Sequence, residues 1–443
     1  MSELLVRRAT AADAATLVAF NADVSRYQDA ATPDDLIAAW TRDLMAGRHP
    51  RVDASDFVVT EDSRRGTIVS ALALISQTWS YDGVDVEVGQ PELVGTHPDY
   101  RGRGLIRRQF EVIHRWRAER GQKLLAIDGI PGFYRQFGYE MAVELRGELS
   151  IDAGSVPRLN AVDPYRLRPA ADADLPFIGE IYATGAARCL VTCPRDAALW
   201  RYELHGRSET NPWRPALQIV ESIDKEPVGV LAHVPRLSGS RLMLTMYEVK
   251  PDISWHDVTP SVLRALRATG EAWTDSPQRF ERIGLCLGTQ HPAYAAITHL
   301  TPRNEGAYAW YLRVPDLPDF LRHVAPVLER RLATSALAGH TGELSISFYR
   351  DGLRLVFDAG RLTNVASWRQ PLGLQGIEKL EPTMAERAAA MLPGQTFLQL
   401  LFGHRSLDEL QHAWADCLVR TETTRTLLSV LFPKRASNVW PVL

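Results

Sequence analysis

An internal repeat constrains the fold of this chain more than any other feature of its sequence. The segments VRRATAADAATL at 6–17 and LRPAADADLPFI at 167–178 carry an alanine, an aspartate and an aliphatic residue at one constant offset. In both segments a short strand pattern precedes apolar residues at helical spacing. The matched pairs are Ala9 and Ala170, Asp13 and Asp174, and Leu17 and Ile178. The repeat therefore predicts a duplicated strand–helix domain.

The first copy continues as an alternation of strands and helices. After a strand at 4–8 and a helix capped by Thr10, the apolar stretches at 56–62, 66–80, 85–98 and 123–128 predict further strands. A helix is predicted from about Gly104 to Arg120, with Gly121 as its stop. This pattern predicts a mixed α/β fold whose central strands are buried on both faces.

The length of 443 residues is too great for one ordinary core, so several domains are expected. The segment 151–164 is polar and contains two prolines, which is typical of a linker. We therefore predict a first domain at 1–150, a second at 165–314 and a third at 315–443. In the third, one amphipathic helix is expected over 315–332, followed by a hairpin turning at Asp351–Gly352 and two closing helices.

Composition excludes several classes of protein. The formal net charge of −3 and the lack of a long basic stripe argue against a nucleic-acid partner. No apolar run is long enough to cross a bilayer, and the charges of the first residues stand in the wrong order for a signal peptide. We expect a cytoplasmic protein with no membrane partner. The cysteines show no ligand spacing, so reduced thiols and no metal are expected; they are Cys189, Cys193, Cys286 and Cys417.

The stretch YRGRGLIRR at 100–108 joins a predicted strand to a predicted helix. Gly102 and Gly104 allow the main chain to approach a ligand closely, and Arg101 and Arg103 add positive charge. A turn of this kind at a helix N-terminus can bind phosphate through main-chain N–H groups. The two best-known phosphate-loop spacings are absent. On these residues alone, a solvated turn is an equally good interpretation.

The segment VGTHPDYRGRGL at 94–105 resembles motif A of the GCN5-related N-acetyltransferases (GNAT), whose signature Arg/Gln-x-x-Gly-x-Gly/Ala binds the pyrophosphate of coenzyme A. Arg101 and Gly104 match that signature, whereas Ile106 replaces its last small residue, as in the Eis-like (enhanced intracellular survival) branch. GFYRQFGYE at 132–140 is similar to a segment of the same branch. The resemblance implies two tandem GNAT-like domains followed by an SCP2-like α+β domain, named for sterol carrier protein 2.

The resemblance also implies that acetyl-CoA is the cosubstrate. The main chain of the strand end would pair with the pantetheine arm, and an N–H near Val94 would polarise the thioester carbonyl. The turn and the start of the helix would bind the pyrophosphate. The expected binding residues are Val94, Gly95, Thr96, Arg101, Gly102, Arg103, Gly104, Leu105 and Ile106. An ordinary continuation of the sheet through Val94 and Thr96 is the alternative.

Acetyl transfer to an amine needs a proton acceptor for the amine and a proton donor for the leaving thiolate. The resemblance implies Tyr134 as the donor, with Tyr139 as the alternative or as a packing aromatic. Two acceptors remain open: Glu92, which shares strand parity with Val94, and the carboxylate of Leu443 after the apolar tail VWPVL. Asp128, at the end of a strand, is a third candidate and an equally plausible substrate contact.

The acceptor pocket is expected near the first helices, where Asp23, Trp40 and Phe20 could contact a cationic, amphipathic amine. By analogy alone, an aminoglycoside or a polyamine-like cation is the expected small-molecule amine. The second copy has KPDISWHDV in place of the glycine turn, so one acetyl-CoA per chain is expected. A non-catalytic acyl-CoA sensor or a lipid-binding protein is the alternative function, and a homo-oligomer is an open possibility.

Overall fold

A computed structural model of the protein describes residues 4–26, 32–158, 163–274, 278–306, 308–368 and 388–443. Its strands are β1 Leu4–Arg8, β2 Phe57–Asp62, β3 Thr67–Tyr81, β4 Val84–Thr96, β5 Leu124–Ile127, β6 Glu140–Leu145, β7 Glu148–Asp152, β8 Tyr165–Pro169, β9 Val191–Thr192, β10 Ala216–Ser222, β11 Pro227–Ser238, β12 Arg241–Val249, β13 Arg282–Cys286, β14 Arg303–Asn304, β15 Tyr308–Arg313, β16 Gly342–Ser347, β17 Gly352–Asp358, β18 Arg361–Trp368, β19 Ala390–Met391 and β20 Leu418–Val419.

The α-helices are α1 Ala14–Val24, α2 Asp35–Met45, α3 Leu105–Glu119, α4 Leu175–Ala186, α5 Ala197–Arg201, α6 Trp255–Ala272, α7 Leu317–His323, α8 Ala325–Ala333, α9 Thr396–Leu401, α10 Leu407–Ala413 and α11 Glu422–Leu431. Short 3-10 turns lie at Ala11–Asp13, Ala54–Asp56, Pro98–Tyr100, Phe133–Phe137, Ala153–Ser155, Asp172–Asp174 and Pro292–Leu300, and a π-helical turn at Tyr202–Gly206 continues α5. No helix in the described ranges is both long enough and apolar enough to cross a membrane.

Three mixed sheets confirm the predicted α/β class. The first has the strand order β1-β2-β3-β4-β5-β15-β6, with β9 added beside β3, and the second has the order β14-β7-β13-β12-β11-β10-β8. The third has the order β18-β17-β16-β19-β20. Parallel pairing between β4 and β5, and between β12 and β13, gives the first two sheets the same arrangement around a long helix, α3 or α6.

The duplication extends to one cluster of charged side chains. In the first copy, Arg7 forms ion pairs with Asp13 at 2.7 Å and with Glu61 at 2.9 Å. In the second copy, Arg168 pairs with Asp174 and with Glu221, each at 2.6 Å. Each arginine thus ties the first strand to the turn that follows it and to the neighbouring strand. The same three-way contact in both copies agrees with the repeat in the sequence.

The two copies exchange one strand each. β7 (Glu148–Asp152) pairs with β13 in the second sheet, and β15 (Tyr308–Arg313) lies between β5 and β6 in the first sheet. The division into 1–150, 165–314 and 315–443 stays a prediction. β7 and β15 each complete the sheet of the other copy, so strand pairing crosses the predicted boundary between the first two domains.

The third region differs in two details from the local predictions. The helix expected over 315–332 is broken at Val324 into α7 and α8, because Pro326 starts a new helix there. The hairpin turns over residues 348–351, and Gly352 is already the first residue of β17, paired with Ser347. Likeness to sterol carrier protein 2 stays a prediction.

The first sheet and the third region share one apolar core. Trp79 and Trp310 meet edge to face at 5.7 Å in a cluster that also contains Phe320 and Phe397. Tyr81 donates a hydrogen bond to the Leu401 carbonyl at 2.7 Å. One face of the first sheet is therefore covered by the third region, while α3 covers part of the other face.

Replacing Trp310 by alanine should lower the free energy of unfolding by about 3–5 kcal/mol, because it empties a fully buried site in an exchanged strand. Chemical denaturation followed by circular dichroism measures the loss. Leu418→Ala, at a side chain 48% exposed, is the control and should change stability by less than about 0.5 kcal/mol. A loss of similar size for both variants would contradict a role for β15 in the first sheet.

Candidate active site

The first sheet opens between β4 and β5. These strands pair only at Val88 with Leu124 and at Gly89 with Leu125, although β4 runs on to Thr96. On its other side β5 stays paired with β15 as far as Ile127 opposite Tyr311. The second half of β4 therefore presents one main-chain edge to a V-shaped opening. An extended ligand with amide groups can pair with such an edge.

A β-bulge lies in β4 at this opening. Glu92 pairs with Ala73 and Gly95 with Ala71, so Leu93 and Val94 together stand opposite Leu72. Leu93 has φ +53°, a left-handed conformation that costs a non-glycine residue about 1–2 kcal/mol. The bulge turns the main chain at Leu93 and Val94 out of the regular ladder. It occurs at the position where the family resemblance implies an N–H that polarises the thioester carbonyl.

The glycine turn that follows has the geometry of an anion site. Gly102 and Gly104 both have φ +72°, and a Cβ at either position would meet no other atom within 4 Å. Gly104 precedes α3, whose N-terminus has no side-chain cap and no acidic residue in its first turn. The first N–H groups of α3 are thus free to bind an anion. The residues present fit the pyrophosphate of acetyl-CoA.

The arginines of the turn are held by main-chain carbonyls. Arg101 donates to the Thr96 oxygen at 3.2 Å, and Arg103 donates to the Asp99 oxygen at 2.8 Å. Both side chains are exposed and can still face an anion. Leu105 is buried, and Ile106 packs into the apolar cluster beneath α3, so the larger residue at this position does not fill the turn.

Tyr134 lies beside the end of β5. A Cβ on Gly129 would stand 2.6 Å from its ring and 3.0 Å from its hydroxyl, so only glycine permits this approach. The hydroxyl forms no hydrogen bond with any residue that the structure describes. Burial raises the pKa of Tyr134 above its ordinary value, and the charges of Glu92 and Asp128 raise it further. The phenol therefore stays protonated and unpaired near two carboxyl groups.

Glu92 is the most strongly perturbed carboxyl group at the opening. Burial raises its pKa to about 8, and the charge of Asp128 adds to the increase, while the hydrogen bond from Gln90 and the charge of Arg146 oppose it. Burial likewise raises the pKa of Asp128, whose Oδ2 lies 3.6 Å from the Arg146 guanidinium. A carboxyl group with a pKa near 8 is suited to accept a proton from an amine.

A chain of hydrogen bonds joins Glu92 to the C-terminal segment. Gln90 donates to Glu92 Oε1 at 2.6 Å and accepts from Gln77, whose own oxygen accepts from the Val442 N–H at 3.2 Å. Gln77 and Gln90 are both buried. The next residue, Leu443, packs in the same apolar cluster as Trp40, and its main-chain oxygen accepts a hydrogen bond from Arg207. These hydrogen bonds therefore connect Glu92 to the residue before Leu443, the other candidate proton acceptor.

Two tyrosines that contact the loop of Tyr134 were not identified in the sequence analysis. Tyr308 donates to the Gly129 carbonyl at 2.6 Å, and the Tyr311 hydroxyl accepts from the Gly132 N–H at 2.6 Å. Both tyrosines belong to β15, and they fix the loop that carries Tyr134. No signal near residue 134 could have identified them, because the strand arrives from the second copy.

The remaining predicted residues have contacts of their own. Asp23 is half-buried on α1 and forms an ion pair with Arg26. Trp40 is buried and packs edge to face on Trp213 at 5.7 Å. Tyr139 is fully buried beside Phe110, as expected of a packing aromatic.

The second copy has a tyrosine and a helix in corresponding places, but the tyrosine hydroxyl is hydrogen-bonded and the helix has an acidic residue in its first turn. The Tyr294 hydroxyl donates to the Leu285 carbonyl at 3.0 Å and accepts from the Leu287 N–H at 3.3 Å, so it is fully occupied. The first turn of α6 contains Asp257, which repels an anion. Within the described residues, no group of three or more His, Cys, Asp or Glu could hold a metal ion.

Comparison with known proteins agrees with this geometry. Residues 6–142 match the family model described as an acetyltransferase (GNAT) domain. A probable N-acyltransferase from Enterococcus faecalis V583 has a TM-score of 0.68 at 14% identity, over 99% of both chains. A GCN5-related N-acetyltransferase from Kribbella flavida has a TM-score of 0.63 at 18% identity, over 99% of this chain and 98% of the other. Eis1 from Mycobacterium abscessus has a TM-score of 0.61 at 13% identity, over 100% of both. No curated protein matches the sequence.

Residues 6–142 are therefore a GNAT acetyltransferase domain, and the protein is an enzyme of the acyltransferase class. The whole chain has the fold of the GCN5-related and Eis-type structures.

The pH dependence of kcat/KM should identify the proton acceptor. If Glu92 is the acceptor, it acts when deprotonated, so activity should rise as the pH increases through about 8. Glu92→Gln should remove this rise and leave only the one caused by the acceptor amine itself. Deleting residues 441–443 is the matched test of Leu443. If the deletion removes the rise and Glu92→Gln keeps it, Leu443 and not Glu92 accepts the proton.

Proposed function

We propose that the protein transfers the acetyl group of acetyl-CoA directly to a primary amine of a small molecule, within a ternary complex. The observation that supports this most strongly is the unpaired Tyr134 hydroxyl, which stays protonated near Glu92 and Asp128 beside the opening in the first sheet. When bound, acetyl-CoA supplies an activated acetyl group as a thioester.

In this proposal the free edge of β4 binds the pantetheine arm, with contacts to Val94, Gly95 and Thr96. The glycine turn and the first N–H groups of α3 bind the pyrophosphate, from Arg101 to Ile106. The main-chain N–H at the bulge would donate to the thioester carbonyl, where negative charge develops. The support for this assignment is the coincidence of opening, bulge and uncapped helix along one continuous segment.

Glu92 accepts the amine proton in this proposal. An amine with a pKa near ~10 is mostly protonated at neutral pH, and it must be deprotonated before it can attack a carbonyl. Glu92 is favoured over Leu443 because the Leu443 main-chain oxygen is already engaged by Arg207. A guanidinium in direct contact with a carboxylate favours its charged form and makes it a weaker proton acceptor. Asp128 then orients Arg146 and the amine.

Tyr134 donates the proton that the departing thiolate requires. Its raised pKa keeps the phenol protonated at every pH at which Glu92 can act, so donor and acceptor are available together. The hydrogen bond that Tyr308 donates to Gly129 and the one that Tyr311 accepts from Gly132 hold the loop that carries this donor in position.

Replacing Tyr134 by phenylalanine should lower kcat by about 10²–10⁴-fold, because one general acid is lost. The affinity for acetyl-CoA, measured by calorimetry, should stay within about twofold, because the ring and its packing remain. Tyr139→Phe is the matched control and should keep its turnover. Unchanged thiol release by Tyr134→Phe would remove Tyr134 from the mechanism.

Calorimetry should find one acetyl-CoA bound per chain. Gly104→Val should weaken this binding by at least about tenfold, since a β-branched residue is strained at φ +72° and the turn must change. Gly66→Val, at another open glycine with φ +62°, controls for general strain and should leave binding unchanged. Two equal sites per chain would show that the second copy also binds the cosubstrate.

A further inference from the structure

A cavity of about 600 Å³ lies between the first copy, the second copy and the C-terminal segment. Its volume is that of a small-molecule site. Leu36 and Trp213 line one part, Trp440 and Leu443 another, and Arg146 stands where the cavity adjoins Asp128 and Glu92. The glycine turn is not part of its wall. If the proposed acetyl transfer is correct, this cavity is the place for the acceptor.

The charged side chains in its wall are predominantly arginines. They are Arg146, Arg207, Arg214 and Arg236, together with two acids, the Glu203 side chain and the carboxylate of Leu443, whose oxygen accepts a hydrogen bond from Arg207. Glu203 is already paired with Arg207 at 3.0 Å, and both side chains are almost completely buried. His233 also lines the cavity, and burial lowers its pKa, so this histidine is neutral near pH 7. The charge balance of the wall is therefore positive.

Two of these arginines have no carboxylate partner. Arg236 donates a hydrogen bond to the Pro212 carbonyl at 2.6 Å, and neither Arg236 nor Arg214 forms an ion pair with any residue that the structure describes. Burial lowers the pKa of Arg236, as expected of a guanidinium removed from water without a counter-charge. A half-buried guanidinium without an anion is costly, and a ligand anion would compensate that cost.

We propose that the acceptor carries an anionic group, a carboxylate or a phosphate, in addition to its amine and an apolar body. The oxyanion would bind Arg214 and Arg236, and the apolar body would lie against Trp213 and Trp440. The amine would then reach past Arg146 to Glu92. This inference rests on the proposed function. It differs from the cationic acceptor that the sequence suggested, because that expectation used Asp23 and Trp40, which do not line the cavity.

The experiment compares three acceptors of equal size: 4-(aminomethyl)benzoate, 4-methylbenzylamine and 1,4-bis(aminomethyl)benzene. Their far ends are anionic, neutral and cationic. Thiol release from acetyl-CoA gives kcat and KM, and calorimetry in the presence of coenzyme A gives the affinity of each. The anionic acceptor should have a KM about 10- to 100-fold below that of the neutral one, as a charge-assisted hydrogen bond provides.

Charge variants locate the effect. Arg214→Gln and Arg236→Gln should each raise KM for the anionic acceptor about tenfold or more and leave KM for the neutral acceptor and for acetyl-CoA unchanged. Arg214→Lys should retain part of the preference, and Arg214→Glu should favour the cation. Arg350→Gln, at an exposed turn of the third region, is the control and should change nothing.

The outcomes separate the two proposals. Equal or tighter binding of the cationic acceptor would overturn the anionic class and leave acetyl transfer standing. A loss of acetyl-CoA affinity in Arg214→Gln, with acceptor binding unchanged, would assign these arginines to the cosubstrate and also overturn it. Tight binding of the anionic acceptor without thiol release from this or any other amine would support the site and overturn the proposed function.

Discussion

The candidate site depends on a strand pairing that ends early. β4 and β5 part after Gly89, and each then relies on its other neighbour, β3 or β15, for main-chain hydrogen bonds. The opening frees one edge of β4 and gives space for the bulge at Leu93. The end of β5 is directed toward the loop that holds Tyr134. If β4 and β5 stayed paired to their ends, the carboxyl groups and the tyrosine would lie on a closed sheet with no slot between them.

The two ends of the proposed reaction space contain different charged groups, carboxyl groups at one end and arginines at the other. Near the opening, burial makes Glu92 more basic and keeps Tyr134 protonated. In the adjoining cavity, arginines without counter-charges produce a positive field. Arg146 lies between them, close to Asp128 and 5.5 Å from the Trp213 ring. The amine group of an acceptor in this space would contact the carboxyl groups, and the rest of the acceptor would contact the guanidinium groups.

Local features of the chain were predictable from the sequence. The helix expected from Gly104 to Arg120 is observed as Leu105–Glu119, and the glycine turn precedes it, because turns and helix ends are specified by neighbouring residues. The repeat predicted two related sheets. The charge of the cavity was not predictable, because Arg146, Arg214 and Arg236 lie in three separate segments. The roles of Tyr308 and Tyr311 were equally inaccessible, since they follow from pairing between residues about 180 positions apart in sequence.

The strand exchange has a consequence for synthesis on the ribosome. β5 and β6 cannot take their final places until β15 arrives, so the first sheet stays incomplete until about residue 313 has left the exit tunnel. The first copy cannot finish folding before the second, although domains made early in a chain often do. A nascent chain that stalls between the copies would expose the unpaired main-chain edges of both strands, and such edges can pair with other chains.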